Sequence, residues 1–133
     1  MRYMLDTNIC IYVIKHKPES VFRELKKISP EDVCISSITY AELAYGVEKI
    51  VQTERNRLAL AMMLSSIDIA AFDDAAAAEY GEIRASLEKG GTPISSMDML
   101  IAAHARSSGC TLVTNNTKEF CRVKGLKVVN WVK

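Results

Sequence analysis

The sequence predicts one α/β domain over residues 1–133, with a short-stranded parallel β-sheet flanked by helices on both faces. Short apolar runs alternate along the chain with longer segments whose apolar residues recur at helical spacing. This alternation is typical of parallel strands that are joined by helices. The length suits a single domain with its own core, and no linker, repeat or low-complexity tract divides the chain.

Two strands and four helices are predicted in the first half of the chain. The run at 3–5 is short and apolar, and Ile9, Val13 and Ile14 then follow at helical spacing. A serine or aspartate just before such a segment indicates a helix start, because its side chain caps free backbone N–H groups. The predicted elements are a strand at 3–5, helices at 7–15 and 18–27, a strand at 33–35, a helix capped by Ser37, and a helix from Thr53 or Glu54 to about Leu64.

The second half of the chain continues the alternation. Glycines mark helix ends here, because glycine readily adopts the left-handed backbone that follows a last helical turn. The predicted elements are a strand at 67–69, a helix at 75–89 capped by Asp73 and ended by Gly90-Gly91, a helix at 97–106 capped by Ser95 or Ser96 and ended by Gly109, and strands at 111–113 and 127–129. In parallel sheets of this kind, ligands bind beyond the carboxyl ends of the strands.

Three acidic residues stand at the edges of these apolar elements. Asp6 follows the first strand, Glu42 lies in the helix after the second strand, and Asp98 lies in the first turn of a late helix. Asn116 follows the fourth strand, so all four side chains can converge on one crevice. Half-buried carboxylates of like charge need a cation. Mg²⁺ or Mn²⁺ accepts such oxygen ligands and promotes hydrolysis of phosphate esters, which is the chemistry we predict.

Each of these residues also has a purely structural interpretation. Glu42 and Asp98 each complete a capping-box pattern, with Thr39 and Ser95 respectively three positions earlier. Asp6 is equally suited to start the first helix, and Asn116 to form a turn. For each residue alone, both interpretations stay open, whereas the four together favour a common site.

The composition excludes several classes of protein. With 49% apolar and 25% charged residues, the chain has the balance of an ordinary soluble globular protein. Its apolar runs are too short to span a bilayer, and its N-terminus does not resemble a signal peptide, so we expect a cytoplasmic location. The four cysteines have no CxxC spacing, which predicts buried free thiols, and the two histidines are too scattered for zinc.

Charge is distributed unevenly, although the net charge is only +1. Residues 104–133 contain six basic residues and one acid, whereas residues 67–89 contain six acids and two basic residues. A basic segment beside an acidic metal site can hold a polyanion while the metal acts on it. Solvated helix faces without a partner explain these charges equally well.

Four motifs, spread over essentially the whole chain, carry a resemblance to a known family. They are MLDTN at 4–8, ISSITYAEL at 35–43, GTPI at 91–94 leading to DMLIAAHA at 98–105, and VTNNTKEF at 113–120. Their residues, order and spacing resemble those of the PIN-domain ribonucleases, and in particular the VapC-type toxins of bacterial type II toxin–antitoxin systems. No single one of the four motifs would be specific enough alone.

The resemblance implies a PIN-like fold and a metal-dependent endoribonuclease that binds Mg²⁺ or Mn²⁺. It implies that Asp6, Glu42 and Asp98 are the catalytic acids that hold the metal. Many PIN domains have a fourth acid where this chain has Asn116, and an amide is a weaker, neutral ligand. Glu119, three residues further on, can supply the missing charge if its helical turn faces the pocket.

Other positions match residues that support the acids in the family. Thr7, Asn8 and Thr114 match positions that orient the acids or a water molecule. Arg84 lies in the long acidic helix, near the place of an arginine that faces the pocket in VapC-like proteins. These four residues are expected to surround the metal ligands without binding the metal.

The resemblance also implies a substrate and partners. The expected substrate is RNA, cut in a structured loop such as the tRNA anticodon stem-loop, with initiator tRNA favoured and ribosomal RNA loops next. The expected partners are a second copy of the chain and a VapB-like antitoxin, whose tail covers a groove beside the acidic pocket. The resulting complex is expected to bind operator DNA through the antitoxin. The apolar helices around 40–47 and 58–64 suit such a tail, and they suit a core equally well.

Two other functions remain open. Phosphatases of the haloacid-dehalogenase type also begin with an aspartate after the first strand, but they need a second aspartate where this chain has Asn8. The second alternative is a PIN-like domain that binds RNA or a partner without cutting, which Asn116 keeps open. Turnover of a phosphomonoester would indicate the first alternative, and RNA binding without cleavage would indicate the second.

Overall fold

The structure is a computed structural model that describes residues 1–49, 51 and 53–133. Its strands in this part of the chain are β1 (Tyr3–Leu5), β2 (Val33–Ser36), β3 (Asp68–Ala70), β4 (Thr111–Val113) and β5 (Lys127–Val129). Its helices are α1 (Thr7–Lys15), α2 (Glu19–Lys26), α3 (Ser37–Glu48), α4 (Thr53–Leu64), α5 (Asp74–Lys89), α6 (Ser96–Ser107) and α7 (Thr117–Phe120), with a 3₁₀ turn at Pro30–Asp32. The strands form one parallel sheet in the order β3-β2-β1-β4-β5, which confirms the predicted fold class.

Two apolar cores cover the two faces of this sheet. Successive strand residues point to opposite faces, so Met4 and Leu112 join the core beneath α5 and α6. Leu5 and Val113 join the core beneath α1 and α4. Strands buried on both faces are continuous apolar runs, which is why the sequence showed them as such. Trp131 lies in the second core beside Tyr3, with ring centres 5.6 Å apart.

The prediction that Ser37 caps α3 is wrong. Ser36 ends β2 with extended backbone, and its Oγ accepts a hydrogen bond from the backbone N–H of Ile38 at 3.0 Å. The helix therefore begins one residue earlier than a Ser37 cap would allow, and Ser37 is its first residue. The Ser37 Oγ accepts instead from the backbone N–H of Phe72 at 3.0 Å, which ties the start of α3 to the segment after β3.

Several other boundaries are shifted by one residue from the predictions or refine them. The third strand begins at Asp68 rather than Ile67, because the buried Ile67 belongs to the core but precedes the backbone pairing with β2. Ser95, not Ser96, caps α6. The turn α7 was not predicted, because four residues are too few to show helical periodicity.

The cysteine prediction holds for three of the four residues. All four thiols are free, and Cys10, Cys34 and Cys110 are buried. Cys121 is exposed, because it follows α7 on the surface, so its predicted burial is wrong. Among the helices of the described residues, none has both the length and the apolar character that crossing a membrane requires.

Candidate active site

Asp6 occupies the carboxyl end of the central strand and also begins α1. Its Oδ1 accepts a hydrogen bond from the backbone N–H of Ile9 at 2.9 Å, so it is the N-cap of the helix. Its Oδ2 accepts a hydrogen bond from the hydroxyl of Thr114, which follows the neighbouring strand β4. An ionised carboxylate has about four acceptor positions, so these two bonds fix its orientation and leave it able to bind a cation.

Burial and neighbouring charge both disfavour the ionised form of Asp6. The side chain is 5% exposed, and burial is the largest cause of the net rise of its pKa from the ordinary 3.8 to about 6. Hydrogen bonds from Thr114 and Ile9 lower the pKa, but they only partly offset the burial. The negative charges of Asp98 and Glu42 raise it further, so these three carboxylates interact electrostatically at one place.

Glu42 is held toward this edge of the sheet by a residue of α1. The hydroxyl of Thr7 donates to the Oε1 of Glu42 at 2.6 Å. The capping-box interpretation of Glu42 is wrong, because α3 is capped by Ser36 and Glu42 lies well inside the helix. Thr39 is likewise inside α3, and its buried hydroxyl has no hydrogen-bond partner among the described residues.

Asp98 lies in the first turn of α6, where its backbone confirms the capping interpretation, while its role as a metal ligand stays a prediction. The Ser95 Oγ accepts a hydrogen bond from the Asp98 backbone N–H at 3.2 Å, as expected for a helix cap. Burial raises the pKa of Asp98, and a hydrogen bond with Ser95 lowers it. The charges of Glu119 and Glu42 raise it again, which places a fourth carboxylate at the same site.

Asn116 and Glu119 form a pair beside the other acids. The Asn116 side-chain amide donates to the Oε2 of Glu119 at 3.1 Å. The Asn116 backbone N–H donates to the Oγ1 of Thr114 at 2.9 Å, so Thr114 is bonded on both sides. Since the charge of Glu119 raises the pKa of Asp98, Glu119 supplies negative charge near the position where the sequence has an amide instead of an acid.

Two predicted supporting residues have no described contact with the acids. Asn8 is exposed in the first turn of α1. Arg84 is half-exposed on α5, where it donates to the Tyr80 hydroxyl at 2.8 Å and pairs with Glu88 at 3.5 Å. The roles of these two residues therefore stay predictions from the resemblance alone.

The donor set of this site suits a hard divalent cation. In the described part of the chain, no three His, Cys, Asp or Glu side chains are grouped tightly enough to hold a metal as they stand. The side chains that affect one another's pKa are Asp6, Glu42, Asp98 and Glu119, and their ionised carboxylates repel. Carboxylate oxygens are the ligands of Mg²⁺ and Mn²⁺, and a cation would relieve this repulsion. The chemistry of the donors therefore fits the predicted metal.

A groove of about 800 Å³ opens beside the acids, between α1, α3 and α4. Thr7, Glu42 and Met97 line it near the acids, while Tyr45 and Lys49 line it further along α3. Tyr45 is 68% exposed, and the Lys49 ammonium lies 5.1 Å from the centre of its ring. The groove thus joins an acidic end to an apolar floor with a basic rim.

Sequence reasoning missed a buried polar pair beside this site. The Nδ1 of His104, on α6, lies 2.7 Å from the Oγ of Ser36 at the start of α3. Both residues are buried, and 68 positions separate them in the chain. A histidine within the apolar run of α6 was the only signal in the sequence, and it did not identify the partner.

The parallel sheet with acids at its carboxyl edge defines an α/β domain of the PIN type. The model of the PIN domain family matches residues 3–126. The chain belongs to the PIN-domain family and, within it, to the VapC-type proteins. It is 49% identical over 131 residues to the tRNA(fMet)-specific endonuclease VapC of Shigella flexneri, covering 98% of each chain. It is 45% identical over 134 residues to Ribonuclease VapC2 of Rickettsia felis, covering 100% of each.

A solved structure supports the same assignment. The chain superimposes with a TM-score of 0.93 on the crystal structure of VapBC2 from Rickettsia felis bound to a DNA fragment from their promoter, at 44% identity, covering 98% of this chain and 99% of that one. Membership of this family also removes the haloacid-dehalogenase alternative, which requires a different fold and an aspartate in place of Asn8.

Proposed function

We propose that this VapC-type protein is an endoribonuclease toxin that cuts the anticodon stem-loop of tRNA, with initiator tRNA as its preferred substrate. The observation that carries the proposal is the position of Asp6 at the carboxyl end of β1, with Thr7 beside it bonded to Glu42. The charges of Glu42 and Asp98 raise the pKa of Asp6, in agreement with a common site. The substrate preference is supported by a relative, 49% identical, named as a tRNA(fMet)-specific endonuclease. Single-stranded RNA loops suit such a site, because their backbone can be splayed into a cleft.

The acids are proposed to hold Mg²⁺ or Mn²⁺ through Asp6, Asp98 and Glu42. When bound, the ion lowers the pKa of a water molecule and stabilises the charge that develops on the scissile phosphate. Asp6 presents its remaining lone pairs from a fixed orientation, because Ile9 and Thr114 hold its two oxygens. We propose that the Thr114 hydroxyl orients Asp6 without binding the metal itself.

The remaining predicted residues are proposed to complete and orient this set. Thr7 donates to one oxygen of Glu42 and leaves the other free to act at the site. Asn116 holds Glu119 through its amide, so that Glu119 supplies the charge that Asn116 lacks. Binding of metal would then be weak in the free protein and stronger when an RNA phosphate shares the cation.

The groove is proposed to receive both the RNA and the antitoxin that excludes it. Lys15 and Lys49 lie at the groove and can neutralise phosphates, while the apolar floor suits the tail of a VapB-like antitoxin. A basic side chain from that tail would take the place of the cation among the acids. The solved relative is a VapBC2 complex bound to promoter DNA, which supports a complex of this toxin with its antitoxin that binds operator DNA. Within that complex the toxin is proposed to be a homodimer.

The test is cleavage of a total tRNA pool by the purified protein in Mg²⁺ or Mn²⁺, beside two matched variants. Asp6→Asn keeps the cap but removes a charge from the site. Asp73→Asn makes the same change at the cap of α5, where Asp73 accepts from the backbone N–H of Ala76 at 3.0 Å. We expect discrete tRNA fragments with wild type and with Asp73→Asn, and none with Asp6→Asn or with chelator.

Other results of this experiment would change the proposal. Fragments that persist in chelator would remove the metal from the mechanism. Folded protein that binds tRNA in Mn²⁺ and leaves both tRNA and ribosomal RNA intact would favour the alternative of a PIN-like domain that binds without cutting. Fragments from a tRNA other than the initiator would keep the activity and correct the substrate.

A further inference from the structure

The buried contact between α6 and α3 involves one hydroxyl with two neighbours. The Ser36 Oγ accepts from the backbone N–H of Ile38 at 3.0 Å and lies 2.7 Å from the Nδ1 of His104. Ser36 is 0% exposed, so water does not reach this hydroxyl. The Ser36 hydroxyl therefore cannot act as a nucleophile, and its two contacts stabilise the fold.

The direction of the second bond follows from counting protons. A serine hydroxyl has one proton to donate and two lone pairs to accept with. If His104 donated from Nδ1, the Ser36 oxygen would accept twice, and its own buried proton would lack an acceptor. Leaving a buried donor unpaired costs about 1–3 kcal/mol. The assignment that pairs this proton makes the Nδ1 of His104 its acceptor, with the ring neutral and protonated on Nε2.

The surroundings of His104 suit a neutral ring. The edge of the ring meets Phe72, with ring centres 5.5 Å apart and planes at 79°. The backbone N–H of Phe72 in turn donates to the Ser37 Oγ. Burial lowers the pKa of His104, in agreement with a neutral imidazole. The first turn of α3 is thus bonded both to α6 and to the segment that follows β3.

The two helices joined by this contact are the ones that carry two of the acids. Asp98 lies six residues before His104 on α6, and Glu42 lies six residues after Ser36 along α3. Six helical residues span about 9 Å, so each acid lies less than two turns from the contact. Helix α6 is firmly packed, because most of its residues from Met99 to Ala105 are buried. It therefore provides a fixed reference for the start of α3.

We propose that His104 is a positioning residue, which accepts the Ser36 hydroxyl proton and so fixes α3, with Glu42, relative to Asp98 on α6. The expected effect of His104 on RNA cleavage rests on the proposed function. Residues that orient metal ligands without touching the metal commonly contribute 10–100-fold to affinity or rate. We expect an effect of about that size here.

The test compares two substitutions of His104 and one of its neighbour. His104→Leu keeps most of the volume and removes the acceptor, whereas the Oδ1 of His104→Asn can replace Nδ1. Phe72→Leu removes the ring contact and keeps the bond to Ser36. Three quantities are measured for each folded variant. The first is hydrogen exchange of the Ile38 amide, with the capped amide of Ala76 in α5 as the internal control. The others are the Mn²⁺ affinity, by electron paramagnetic resonance, and the kcat and KM for tRNA cleavage.

We expect His104→Leu to accelerate exchange of the Ile38 amide but not of Ala76, and to lower Mn²⁺ affinity and kcat about 10–100-fold with little change in KM. His104→Asn should recover most of both losses, and Phe72→Leu should remain near wild type. The inference is overturned if His104→Leu keeps the wild-type exchange and Mn²⁺ affinity, or if Phe72→Leu or His104→Asn loses as much as His104→Leu.

Two further measurements separate this inference from folding defects and from the proposed function. The ¹⁵N spectrum of the imidazoles in the wild-type protein should show His104 protonated on Nε2 alone at neutral pH, and protonation on Nδ1 would overturn the inference without any variant. If wild type cuts no RNA, the proposed function fails. The exchange of Ile38 and the Mn²⁺ affinity then still decide the role of His104.

Discussion

Replacing Asp6 by asparagine should stabilise the metal-free protein while removing its activity. Burial and the charges of Asp98 and Glu42 raise the pKa of Asp6 from 3.8 to about 6. A difference of about two pKa units corresponds to about 3 kcal/mol of folding free energy that the ionised carboxylate costs at neutral pH. Asparagine is neutral and is itself a good N-cap residue, so Asp6→Asn should recover much of this cost.

The pH dependence of this gain has a definite sign. The unfolded chain releases the Asp6 proton near pH 3.8, while the folded protein retains it until about pH 6. Between these values the folded state binds more protons, so this group makes stability fall as the pH rises. The advantage of Asp6→Asn should therefore be close to zero below pH 4, grow up to about pH 6 and stay constant above it.

The assay is urea unfolding of both proteins in chelator from pH 4 to pH 8, with Asp73→Asn as the control for a change of cap residue. Saturating Mn²⁺ should then stabilise the wild type, because a ligand that binds only the folded state adds to its stability, and should have little effect on Asp6→Asn. The reasoning would be refuted if Asp6→Asn were less stable than wild type at pH 7. It would also be refuted if the gain in unfolding free energy at pH 4 were as large as the gain at pH 7.

Three other predictions each concern one side chain. Thr114→Val removes the hydroxyl that orients Asp6 and should weaken Mn²⁺ binding about 10–100-fold in a direct titration. Because Asp6 and the Asn116 backbone N–H both lose a partner, urea unfolding should also show a loss of about 1–3 kcal/mol. Thr39→Val removes a buried hydroxyl that has no partner among the described residues, and urea unfolding should show a gain of about 1 kcal/mol. Arg106→Met removes the partner of Glu79 and of the Lys124 carbonyl, and should cost about 2 kcal/mol in the same assay without changing cleavage of tRNA.

Much of the fold was predictable because the strands are short apolar runs that end in polar residues. Tyr3–Leu5 and Thr111–Val113 were predicted with their observed bounds, and the residues that follow them, Asp6 and Thr114, are bonded to each other. Periodicity cannot resolve a single residue at a boundary, which is why the cap of α3 was assigned to Ser37 instead of Ser36.

The parts that the sequence did not predict depend on contacts between distant segments. The pairing of Ser36 with His104 requires that β2 and α6 lie side by side, which neither local pattern contains. The amide bond from Asn116 to Glu119 is local, but it depends on the short turn α7, which shows no periodic signal. Which groups face one another across the sheet edge is determined by tertiary packing.

For Asp6 and Asp98, helix capping and metal binding are alternative interpretations of the sequence. The structure shows that capping a helix does not prevent either residue from binding a metal. Capping α1 uses the Oδ1 of Asp6, and the cap of α6 uses the backbone N–H of Asp98. In both cases the carboxylate keeps acceptor positions for a cation. Because the cap bonds fix where each acid lies, the start of a helix beside a strand end is a place where an acid can be held rigidly against the repulsion of its neighbours. The rise in the pKa of Asp6 is the cost of that arrangement, and a bound cation would offset it.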